Sequence, residues 1–337
     1  MDNITHSLVG WALAETGLKR RSRKGLAACV LAANMPDIDV FFGWAPWAPL
    51  AMHRGFTHGL VGGVLVMPPL LAGLLWVLDR WQVGRGAQFK SGLEMRPVWL
   101  LVLCYLGALT HPLLDLQNTY AVQLMSPASE RWFHSDGLFI ISPWLYAMLG
   151  AGLWLSRRRA KRGTGSAIRP AIAALVGVIA FIGVNIAISS LAWQAARAGG
   201  YPGLAAGTQA AAATQRPDRV FASPRPLAFW QREVYWRENG VLRYGSFDPL
   251  RDASRITLTE TPFPDRMDES LVRAAAHATP EVEDFLAWSQ LPFARVERGR
   301  CEATVKFADA RFSGARVISS FQAWAKMPLA NPGCPRG

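Results

Sequence analysis

Cysteine is scarce in this 337-residue chain: there are four, and none forms a Cys-x-x-Cys pair. That excludes zinc ribbons and thioredoxin-type redox centres, both of which need closely spaced thiols. Cys29 and Cys104 fall in apolar runs and are packing residues by this reading. Cys301 and Cys334 fall in soluble sequence and are free to pair if that part lies outside the cytoplasm. Charge is also thin, at 18% of residues. No internal repeat is present, so solenoids and propellers are excluded. Met1-Asp2-Asn3 lacks the basic stretch that opens a cleaved signal peptide, and the N-terminus is expected to be retained.

The net charge of +12 invites a nucleic-acid reading, but its placement opposes one. Of 18 Lys and Arg in residues 1–199, 15 fall in three clusters between apolar segments, at 19–24, 80–96 and 157–169. Residues 200–337 hold 18 basic and 15 acidic residues, too balanced for a strong basic footprint. No nucleic acid is expected as a partner; a protein partner is unknown.

The apolar residues, about half of the chain, concentrate before position 195. Short runs at 4–18 and 25–35 precede four longer ones at 59–78, 97–117, 138–155 and 170–193, each near the ~20 residues a spanning helix needs. The expected fold is mainly α: a polytopic helical membrane domain (1–195) with four clear and two short apolar helices. A linker (196–219) and a small α+β soluble domain (220–337) follow. In that domain, Glu238-Asn239-Gly240 between 227–235 and 241–247 signals a hairpin. Residues 268–290 look helical with a break at Pro280, and 293–298, 301–308 and 315–324 look like strands.

The connections alternating with the basic clusters carry one basic residue each, Arg54 and Arg131. The positive-inside rule places the clusters in the cytoplasm and the C-terminal domain outside it. His6, Asp37, Asp39, His53, His58, Asp115, His134 and Asp136 then share the opposite face, with His111 one turn deeper; all nine are candidate metal ligands, His53, His134 and Asp136 as second choices. His111 and Asp115, four apart on a helix, point the same way and can grip one ion. Ionisable residues at the end of a spanning helix are costly unless paired or functional. Asp37 and Asp39 alternate; in an extended segment they would share a face, and one could bridge two ions. His and Asp ligands without Cys suit zinc, with manganese or magnesium as alternatives.

Bland roles are available too. His6 can be an interfacial polar residue, His58 a helix start, and His134 and Asp136 solvated loop residues. Thr57 and Thr110 can serve only to satisfy backbone groups. His277 is expected to be an ordinary surface residue.

Met-Asp-Asn-Ile-Thr-His6, Asn34-Met35-Pro36-Asp37-Ile38-Asp39, His53-Arg54-Gly55-Phe56-Thr57-His58 and Thr110-His111-Pro112-Leu113-Leu114-Asp115 resemble the YdjM/YbcI-type bacterial inner-membrane metal-dependent hydrolases, over about residues 1–195. The ligand order is more remotely similar to that of the zinc phospholipases C and zinc nucleases. Some of those use an N-terminal amine as a ligand, and they carry a late His-x-x-x-Glu whose nearest counterpart here is His134-Ser135-Asp136. These resemblances imply hydrolysis of a phosphoester, with metal-activated water as nucleophile, in the bacterial inner membrane. The expected substrate is a membrane lipid or lipid-linked phosphoester met at the outer interface. Arg54 would hold the phosphate, and a carboxylate left unligated, such as Asp39, would act as base. Two other classes stay open: a metal or proton transporter, and a structural or regulatory membrane protein whose metal serves folding alone.

Overall fold

The computed structural model describes residues 1–42, 54–199, 201, 217–313, 321–331 and 334. They form two compact units, one drawn almost wholly from residues before 188 and one from Ile188 onward. The chain is mainly α-helical in the first and carries both helices and open β-sheets in the second.

In the first unit, α1 (Asn3–Glu15), α2 (Gly25–Asn34), α3 (Met67–Gly84), α4 (Pro97–Asp115), α5 (Pro143–Arg162) and α6 (Arg169–Arg197, counted with the second unit from Ile188 on) follow the apolar runs. A 3₁₀ segment, Met35–Phe42, continues α2, and a π-helical segment, Leu60–Val66, leads into α3. Proline opens α4 and α5 at the position where its missing N–H costs least.

Among the described residues, three stretches are long and apolar enough to cross a membrane: Leu60–Gly84, Pro97–Asp115 and Arg169–Arg197. The fourth expected span, 138–155, differs. Its helix starts at Pro143 and absorbs the basic run up to Arg162. Its apolar part is accordingly only about 20 Å long at 1.5 Å per residue. Long basic side chains let such a helix reach the headgroups at one end.

All three basic segments lie at one end of this unit. Arg23 pairs with Asp79 at 2.8 Å, Lys24 reaches Gln82, and the Arg23 amide donates to Glu94. Arg157 lies over Trp11 at 4.3 Å, one turn before the end of α1. The fully buried Asp79 is a charge that the apolar pattern concealed, since it closes the run at 59–78.

In the second unit, β1 (Arg219–Pro224), β2 (Arg232–Glu238) and β3 (Val241–Phe247) run antiparallel, with β4 (Thr257–Leu258) and β5 (Phe263–Pro264) both on β3. The β2–β3 turn is the two-residue Asn239-Gly240, both at positive φ, as the hairpin signal requires. β2 sits later than the expected 227–235, and β1 was not expected at all. Helices α7 (Ser270–Ala275) and α8 (Pro280–Trp288) flank the predicted break, with Thr279 capping α8. A second sheet joins β6 (Pro292–Arg298), β7 (Glu302–Asp309) and β8 (Gln322–Pro328). The strand expected at 315–324 begins only at Gln322, and 314–320 lie outside the described residues. Cys301 and Cys334 form a disulfide, with Cα atoms 5.3 Å apart. Cys29 and Cys104 are free and buried in an apolar core, as packing residues should be.

Candidate metal centre

The centre is assembled by the start of α1, the 3₁₀ segment, the turn before the π-helix, and the end of α4. Asp2 caps α1: its Oδ1 accepts from the amides of Ile4 and Thr5, 3.0 Å each, and from the Tyr146 hydroxyl at 2.7 Å. That fixes the first turn, which buries His6 completely.

Helix α2 packs between α1 and α4 at glycine distance. A Cβ on Gly10 would lie 2.7 Å from the Cys29 carbonyl oxygen, and one on Gly107 2.5 Å from the same atom. Small residues permit such close approach of apolar helices. The chemical consequence is that the Ala33 carbonyl, near the end of α2, faces His111 Nδ1 at 2.7 Å.

His58 is held in a similar way. Its Nδ1 lies 3.0 Å from the Thr57 hydroxyl and 3.5 Å from Asp39 Oδ2, while Thr57 donates to that same Oδ2 at 2.6 Å. Thr57 therefore does more than satisfy backbone, whereas Thr110 donates to the Gly107 carbonyl as expected. The π-helical turn begins two residues after His58, and such turns occur frequently at functional sites.

With each Nδ1 engaged, the Nε2 atoms of His58 and His111 point to one place. His58 Nε2 is 3.1 Å from Asp37 Oδ1 and 3.5 Å from Asp115 Oδ2; His111 Nε2 is 3.6 and 3.5 Å from the same two atoms. Ligand atoms of Asp37, His58, His111 and Asp115 all lie within 4.8 Å of one another. His6 stacks on His111 with ring centres 3.8 Å apart, its Nε2 3.5 Å from Asp115 Oδ1. The Met1 amino group also contacts Asp115.

Arg54 is buried, with one guanidinium nitrogen 3.5 Å from Asp115 and another donating to Asn118 Oδ1 at 3.1 Å. Asn118 carried no signal in the sequence, because a lone amide after a helix end is unremarkable.

The extended geometry expected for Asp37 and Asp39 does not occur. In the 3₁₀ segment the two carboxylates address opposite nitrogens of His58, so only Asp37 joins the converging four. His134 and Asp136 bind each other, Nδ1 to Oδ1 at 2.9 Å, on a segment bonded to Leu116 and Gln117. They are not among the four whose ligand atoms converge. His53 lies outside the described residues.

A divalent ion fits this set. Buried polar atoms normally find partners, yet His111 Nε2, Asp115 Oδ2 and both ring nitrogens of His6 are buried with no hydrogen bond. The engaged Nδ1 atoms match the usual support of metal-bound histidine, whose other nitrogen donates to a carboxylate or carbonyl. Asp37 and Asp39 are each 12% exposed, and the centre opens there.

A model of the YdjM inner membrane protein family matches residues 1–192. The chain belongs to this family. The matched stretch contains every described residue of the centre, helices α1 to α5 and most of α6. No curated protein and no solved structure matches the chain. The chain is thus a multi-pass member of an inner-membrane family, with a buried His/Asp cluster suited to a metal-dependent hydrolase.

Proposed function

We propose that this YdjM-family protein hydrolyses a membrane-linked phosphoester, using a divalent ion, with zinc the best match to the donors. The convergence of His58 and His111 Nε2 with Asp37 and Asp115 oxygens carries this reading. Those four residues would hold the ion, with His6 beside them. When bound, such an ion acts as a Lewis acid and makes water nucleophilic near neutral pH. Arg54 binds a phosphoryl oxygen through its guanidinium, and Asn118 holds that guanidinium in place. Asp39 lies outside the converging four, on the Nδ1 side of His58, where with Thr57 it would orient that ring toward the ion rather than act as base.

The substrate class follows from depth. Asp115 ends a helix suited to spanning and His111 lies one turn inside it, where headgroups are met first. By the positive-inside rule the centre faces the extracytoplasmic side, and residues 220–337 lie there too. The Cys301–Cys334 disulfide favours that side. The opening at Asp37 and Asp39 argues against a purely structural metal, whose site would be closed.

The test is metal content by mass spectrometry on detergent-purified protein, wild type beside His111→Ala/Asp115→Ala. Phosphate or headgroup release from mixed phospholipids is followed on the same samples. Stoichiometric metal and turnover, both lost in the variant, are expected. Metal without turnover on any lipid would favour the structural or transport readings, and no metal after reloading would remove the basis of the proposal.

A further inference from the structure

At the basic end of the first unit, away from the centre, α1 and α5 line an open cleft of about 540 Å³, within the range of small-molecule sites. One wall is apolar and aromatic: Leu8, Trp11, Leu153 and Trp154. The rest is cationic, made by Arg157, Arg158, Lys161 and Arg162. Arg157 stacks over Trp11 at 4.3 Å and Arg158 over Trp154 at 5.0 Å. Among the described residues, none of these four cations has a carboxylate partner. Positive charges that only set topology need neither a shared cleft nor an aromatic wall.

We propose that this cleft binds an anionic phospholipid, its phosphate among the four cations and its chain along the Trp11–Trp154 wall. The two halves of the lining match the two halves of such a lipid. Trp154 is 57% exposed, so an acyl chain can enter from the bilayer. A soluble anion would leave the apolar wall without a role. The site is independent of the metal centre and adds a second lipid contact on the opposite face, where anionic headgroups attract basic clusters.

Native mass spectrometry of the full-length protein in detergent tests this, with phosphatidylglycerol and phosphatidylcholine of identical chains. At least about tenfold preference for phosphatidylglycerol is expected, given the attraction contributed by each basic residue. Arg157→Gln/Arg158→Gln/Lys161→Gln should reduce its retention by at least about tenfold. Gly150→Leu should do the same with every charge intact: nothing lies within 4 Å of a Cβ there, and Gly150 lines the cleft. Unchanged metal content in both variants reports intact folding. Equal retention of the two lipids would overturn the proposal, as would wild-type retention in Gly150→Leu, which would mean mere electrostatic adhesion. Equally effective competition by inorganic phosphate would overturn it in favour of a soluble anion.

Discussion

Two buried charge clusters, one in each unit, are built on opposite principles. In the second unit Asp309 and Arg311 are both fully buried, and the carboxylate is saturated. Oδ2 accepts from the Ser289 hydroxyl, the amides of Gln290 and Leu291, and Arg311; Oδ1 accepts from the Arg311 amide and Nε. The guanidinium is packed against Phe221, Trp288 and Phe312. In the first unit the equally buried His111 and Asp115 keep an Nε2 and an Oδ2 without a hydrogen bond. A saturated cluster has its partners within the chain and is structural. An unsaturated one whose free atoms converge is organised around something the chain does not supply.

The sharpest way to break this contrast is to remove one member from each cluster. Asp309→Ala strands a buried guanidinium and should destabilise the second unit by about 3–5 kcal/mol, read as faster hydrogen exchange in β6–β8 of the full-length protein. Its metal content should stay at the wild-type level. His111→Ala should do the reverse, losing metal while β6–β8 keep their protection. If Asp309→Ala loses metal as well, the two clusters are not separable.

Acid probes the same difference with the sequence intact. Burial alone would raise the Asp309 pKa, but Arg311 and the hydrogen bonds from Arg311 and Ser289 outweigh it and hold it down to about 2. A depressed folded pKa supplies stability that is complete above the unfolded value, 3.8, and is lost as pH falls toward 2. The loss should approach about 2 kcal/mol. Asp309→Asn should flatten this dependence, and a wild-type profile in that variant would show that another carboxylate is responsible.

The sequence disclosed the two clusters unequally. His111 and Asp115 were legible because four residues on a helix define one face, and an apolar run makes any ionisable residue conspicuous. His58 and Asp37 were legible as residues at a boundary, but not their mutual geometry, which depends on a 3₁₀ and a π-helical turn that periodicity does not announce. Asp309 and Arg311 were invisible, because a charged pair in soluble sequence gives no sign of burial. Asp79 was masked by its place at the end of an apolar run, and its partner Arg23 by membership of a basic cluster. The Asn239-Gly240 hairpin was legible because positive φ at two successive positions restricts the residues so strongly. β1 follows an Ala- and Gly-rich stretch and offered no comparable signal.

A smaller effect separates the residues that would hold the ion from those that orient them. Asp39→Asn leaves the converging four intact and removes the charge facing His58 Nδ1. Changes of this kind reduce metal affinity by about 10–100-fold, which a competitive chelator titration resolves. A complete loss of metal would make Asp39 a ligand, and an unchanged affinity would remove its role in holding His58.

The smallest effect expected is at His277. Its Nδ1 lies 3.0 Å from Glu283 Oε1, closer than most of the His–Asp pairs in the metal centre, but both side chains are more than half exposed. Water satisfies each group separately and screens their attraction, so His277→Ala should change stability by no more than about 0.5 kcal/mol. Metal content and β6–β8 protection should match wild type. A histidine and a carboxylate at hydrogen-bonding distance are thus not what marks a metal centre: burial without internal partners is, and a measurable metal loss in His277→Ala would refute that distinction.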